Sequence, residues 1–198
     1  MEEAMLILKN WLKEILSVFV FFRFRTLWDL YEHLAANNIK KGILASVFTY
    51  QVDKKGGYIG IGATFGSRPY FPHSLHGVFI SEGSVIGKNA VIFQHVTIGA
   101  VRTRGSDCIG NPTIGDNCYI GAGAKIVGNI HIGNNCRIGA NAVVYKDMPD
   151  NSIAVCAPTR VITKEEPLDN RFFLMCEDGC ERYWDNGQFR KEETSVVQ

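Results

Sequence analysis

Two histidines stand three residues apart, His73 and His76, in the stretch FPHSLHG. An imidazole can ligate a metal or carry a proton near neutral pH. With no third ligand close by, H-x-x-H is a weak metal signal, and its surroundings read as a loop ending at Gly77. Cys176 and Cys180 in CEDGC lack a second Cys or His pair and read as free thiols in a tail. GGYIGIGATFG offers glycines like a dinucleotide fingerprint, but no helix follows them; the next residues continue a different period. His33 lies in a segment of helical periodicity and His131 outside the small inward set described next, so both read as surface or satisfied core histidines.

What must position these side chains is a repeat. Isoleucine recurs every six residues at 80, 86, 92 and 98, then at 114, 120, 126, 132 and 138, with Val144 closing the series and Ile59, Phe65 and Phe71 extending it backward. Four residues after each start stands a mostly small side chain, as at Ala63, Ser84, Ala90, Cys118, Ala124, Cys136 and Ala142, and glycine usually follows the start. Six is a multiple of the strand period of two and does not fit a helix of 3.6. Each unit therefore reads as a short strand plus a corner, three units close a coil, and coils stack in parallel as a β-helix. On this reading Cys118 and Cys136 are core filling.

Residues 2–50 alternate apolar and charged groups at helical spacing, which predicts two or three helices whose apolar faces meet the prism, another subunit or a membrane surface. Between Gly99 and Pro112 the repeat gives way to a polar loop, 100–111, carrying Arg102 and Arg104. Past Ile162 the repeat ends, and Asn186-Gly187 between aromatics signals a β-hairpin. The domain reading is a helical segment 1–50, a β-helix 51–162 and an extension 163–198. A net charge of +1 leaves no footprint for nucleic acid. Six dispersed cysteines without a secretory signal favour reduced thiols in a cytoplasm, with the inner face of the membrane as a further possibility. The apolar run ILSVFVFF is shorter than the ~20 residues of a spanning helix.

The pieces GVFISEGSVIG, FQHVTIG, NPTIGDNCYIGAGAKIVGNIHIG, IGANAVVYKDMPDN and CAPTRVI resemble the hexapeptide-repeat acyltransferases, and among them the serine O-acetyltransferase and polysaccharide O-acetyltransferase branch. The resemblance implies a mainly β fold, a left-handed parallel β-helix with N-terminal helices and a short C-terminal extension. It also implies homotrimers or larger assemblies with sites between prisms, and direct acetyl transfer from acetyl-CoA to a hydroxyl with no permanently bound cofactor and no metal. A hydroxyl attacking a thioester needs a base, which histidine suits, and N–H donors for the oxyanion.

By position in that resemblance His73 is the base, His76 supports the turn or lines the acceptor site, and His95 is a second candidate in the same cleft. Glu82 matches an active-site glutamate. Gly99, Ala100, Ala122 and Ala140 fall on the CoA groove, with Lys125, Lys146 and Arg160 for its phosphates and Arg102 and Asn111 near the acceptor. Two positions depart from the serine enzymes: Asn111 stands where they carry a histidine before proline, and Tyr58 where an acidic partner is expected, Asp53 being the nearest carboxylate. The expectation drawn is transfer to a sugar hydroxyl in surface-polysaccharide synthesis, with serine acetylation and a non-catalytic trimeric scaffold as alternatives.

Overall fold

A computed structural model of the chain describes residues 2–157, 173–175, 180–185 and 188–191. Two units divide it at Ala157 and Pro158.

The repeat folds into a three-sided prism of parallel strands. Face A holds β1 (Tyr58–Ile59), β3 (Phe79–Ile80), β6 (Thr97–Gly99), β9 (Lys125–Val127) and β12 (Val143–Val144). Face B holds β2 (Thr64–Phe65), β4 (Val85–Ile86), β7 (Thr113–Ile114) and β10 (His131–Ile132). Face C holds β5 (Val91–Ile92), β8 (Tyr119–Ile120), β11 (Arg137–Ile138) and β13 (Ile153–Ala154). Registers join like to like, Ile80 to Ile98 to Ile126 and Ile92 to Ile120 to Ile138. Each repeat isoleucine thereby stacks on its counterpart one rung away, fully shielded from water. Burying such a side chain contributes about 2–3 kcal/mol, which a two-residue strand could never gain alone.

The small positions are buried as the period requires, Ala63, Ser84, Ala90, Cys118, Ala124, Cys136 and Ala142 among them. Burial raises the Cys118 thiol above its usual range, in keeping with a packing role. The prism outlasts the isoleucine series. Past Val144 the coil continues, with Met148 bridging to Ile132 and β13 pairing with β11. The proline-bearing segment 147–152 breaks the six-residue spacing there without breaking the coil.

The N-terminal segment forms three helices, α1 (Glu2–Arg23), α2 (Leu27–Ala36) and α3 (Ile43–Asp53), so the helical region includes Asp53. A capping box starts α2: the Thr26 hydroxyl accepts from the Asp29 N–H, and the Asp29 carboxylate accepts from the Thr26 N–H. Helices α2 and α3 close the open end of the prism. Trp28 and Tyr31 pack on Phe65, Tyr31 also on Phe48, and the Tyr31 hydroxyl donates to the Ala63 carbonyl at 2.6 Å. The lower part of α1 lies on α3 through Tyr50 to Glu14 and Gln51 to Ser17. Its other side leaves Trp11, Val18, Phe19 and Phe22 exposed. No described helix is long and apolar enough to cross a membrane.

In the second unit β14 (Phe173–Met175), β15 (Glu181–Asp185) and β16 (Gln188–Lys191) form an antiparallel sheet. Asp185 pairs with Gln188, the register of the expected hairpin. The expectations on Cys176 and Arg160 lie outside the described residues.

Candidate active site

The corner between faces C and A is where the repeat is most disturbed. On the first rung Tyr70 reaches face C through a bridge to Val91, and the loop 72–77 then replaces the short turn into β3. That loop carries both His73 and His76. His76 Nδ1–H donates to the His73 carbonyl at 2.9 Å, closing the turn and leaving Nε2 of His76 without a partner among the described residues. The His73 side chain is exposed, its ring centred 5.7 Å from that of Phe93.

His95 occupies the same corner one rung on. Its backbone N–H donates to the His76 carbonyl at 2.9 Å, and its φ of +60° is the left-handed conformation a tight corner demands. Gly77 makes room for it: a Cβ there would lie 2.2 Å from His95 Nδ1, and Gly77 itself has φ +65°. On the next rung Lys125 Nζ donates to the His95 carbonyl at 2.6 Å. Three histidines thus gather at one corner from positions 73, 76 and 95.

The same corner continues through Ala122 and Ala140. The Gly123 N–H donates to the Gln94 carbonyl and the Asn141 N–H to the Ala122 carbonyl, which stacks these positions on successive rungs. With alanine and glycine here the backbone stays open to a ligand lying along the edge. Gln94 adds a feature that sequence reasoning missed: its side-chain Oε1 is buried without a hydrogen-bond partner. A buried acceptor left unpaired is costly. Its position beside His95 was the signal available.

The remaining candidates fall on another corner. Glu82, Asn111 and loop 100–111 sit between faces A and B, at the opposite end of β3 from His76. Glu82 pairs with Lys40, both side chains half-exposed. Asn111 Oδ1 accepts from Ser81 Oγ at 3.3 Å and from Arg102 Nη2 at 3.5 Å. The loop is rooted by reciprocal Val101–Gly110 backbone hydrogen bonds of 3.0 Å, with Gly99 and Ala100 just before it. Within one chain, then, Glu82 does not join the histidines. Tyr58, where an acidic partner was expected, points outward from β1, and Asp53 ends α3. Lys146 lies over the Tyr145 ring, exposed.

Residues 111–146 match the family "Bacterial transferase hexapeptide (six repeats)". A Mycobacterium tuberculosis serine acetyltransferase is 42% identical over 109 residues, covering 54% of this chain and 45% of that protein. A Staphylococcus aureus serine acetyltransferase is 37% identical over 142 residues, covering 69% and 64%. Among solved structures, serine acetyltransferase isoform 3 from Entamoeba histolytica in complex with cysteine superposes with a TM-score of 0.61 at 29% identity, over 71% of this chain and 50% of that one. The soybean serine acetyltransferase complexed with serine gives 0.57 at 33% identity, over 69% and 56%. The protein is a left-handed parallel β-helix of the hexapeptide-repeat kind and resembles the serine acetyltransferases within it. It spans about half the length of the first curated relatives it matches.

Proposed function

We propose that the protein is an acetyl-CoA-dependent O-acetyltransferase whose reaction takes place at the corner between faces C and A. The observation that carries this reading is the gathering of His73, His76 and His95 on the edge that Ala122 and Ala140 keep open. His73 takes the proton of the acceptor hydroxyl as its oxygen attacks the thioester carbonyl; the C–S bond then breaks and the thiolate leaves as CoA. His76 braces the loop through the His73 carbonyl, and His95 on the next rung is the rival base. Lys125 stands beside the groove for the phosphates of CoA. Exposed apolar side chains on face A, Tyr58, Phe79 and Val143, support a homotrimer, in which a neighbouring copy brings Glu82 and Asn111 to the histidine corner.

Serine is the acceptor that the names of the relatives favour. A sugar hydroxyl is the second reading, favoured by Asn111, an amide held by Ser81 and Arg102 where a titratable ring is expected. Release of free CoA thiol from acetyl-CoA, measured with L-serine and with a panel of nucleotide sugars, decides between them. Turnover with serine alone removes the sugar reading, turnover with a carbohydrate alone removes the serine reading, and none with either alongside no CoA binding in calorimetry leaves a scaffold.

A further inference from the structure

The capped end of the prism is incompletely filled. Between α2, α3 and the first rung lies a cavity of about 380 Å³, walled chiefly by Leu27, Trp28, Phe48, Ile59 and Phe71. The gap has a local cause. Loop 72–77 replaces a short turn, so the first rung closes less tightly than those built of isoleucines, and the aromatic side chains of the helices do not fill what is left. A volume of this size is that of a small-molecule site, and apolar walls with a few polar groups are the usual lining.

The rim supplies those groups. Lys55, in the turn after α3, and Arg68, before Pro69, both border the cavity, and neither forms an ion pair with a described residue. Hydrocarbon walls call for an apolar body, and two unpaired cations at the mouth call for an anion. We propose that this cavity binds a small amphipathic carboxylate with a chain of about ten carbons, its chain against Trp28, Phe48 and Ile59 and its carboxylate between Lys55 and Arg68. Ser74 and Leu75, within the histidine loop itself, form one wall, and Ser74 holds a left-handed φ of +58°. Occupancy therefore bears directly on the segment between His73 and His76. This coupling rests on the proposed role of His73; the binding does not.

Trp28 is a built-in reporter. In a protein carrying Trp11→Phe and Trp184→Phe, emission from Trp28 is titrated with decanoate and, separately, with decanol, both below their aggregation concentrations, with calorimetry in parallel. Decanoate is expected to bind saturably, one per chain, and decanol at least about 10-fold more weakly. The double variant Lys55→Ala/Arg68→Ala is expected to weaken decanoate by about 10-fold and leave decanol unchanged; both sites border solvent, so folding is not at stake. No saturable change at Trp28, equal binding of acid and alcohol, or an unaffected double variant each overturns the proposal. Acetyl-transfer rate with and without saturating decanoate tests the coupling separately. An unchanged rate with binding intact removes the coupling alone, and loss of the acetyltransferase reading does not touch the titration.

Discussion

At the corner between faces B and C, Asn89, Asn117, Asn135 and Asn151 stand one above another, each with φ between +55° and +58°. Each side-chain amide donates to the next asparagine's carbonyl oxygen, at 3.1, 3.2 and 3.1 Å. Asp116, Asn134 and Asp150 add a second column, accepting backbone N–H groups from the rung before. At the corner between faces C and A the same backbone turn is made by different residues on every rung, Gly77, His95, Gly123 and Asn141. The first corner is satisfied internally, amide to amide. Among the described residues the second leaves Gln94 Oε1 and His76 Nε2 without a hydrogen-bond partner, and His73 is exposed. Identical repeats make a wall, and the departures from them leave groups for a ligand to use.

The sharpest way to test that contrast is His73→Ala, expected to lower turnover by about 10²–10⁴-fold with an unchanged melting profile. Normal turnover would shift the base to His76 or His95. Gly77→Ala strikes the same corner through the backbone. Its methyl meets His95 Nδ1 and its φ is left-handed, so a loss of about 1–3 kcal/mol in urea unfolding should accompany impaired transfer. Asn117→Ala, on the other corner, puts alanine at φ +57° and cuts the ladder in two. It should cost about 1–2 kcal/mol while leaving kcat/KM alone, and an activity loss would break the division of labour between corners.

Tyr31→Phe has the smallest expected effect, about 1 kcal/mol for the hydrogen bond to the Ala63 carbonyl. Its pH dependence gives the sign. Burial raises the Tyr31 phenol well above the ordinary tyrosine range, so the folded chain holds this proton more tightly than the unfolded one. The stability tied to that proton is intact below the unfolded pKa of about 10 and is lost as pH rises above it. Unfolding at neutral and alkaline pH should therefore show a shallower alkaline decline in Tyr31→Phe than in the parent.

The fold was readable because its code is local. A buried isoleucine every six residues, a small inward residue and a turn-forming Gly or Asn specify strand and corner within each unit, and stacking follows from the burial each unit needs. The histidines were readable as candidates by residue type and motif. What escaped was whatever depends on phase around the prism. His76 and Glu82 are six apart in sequence, yet β3 places them on different corners.

By itself the sequence determined the prism, its inward columns and the place where the repeat breaks, since each follows from side-chain size and backbone freedom within a few residues. Only the tertiary structure decided which corner each side chain occupies, that Gly77 is needed for the His95 ring, that Gln94 is left unpaired, and that the helical cap leaves a cavity beneath the histidine loop. Those depend on the register between rungs and on how aromatic side chains from α2 and α3 meet the first coil, contacts between residues that no spacing along the chain encodes.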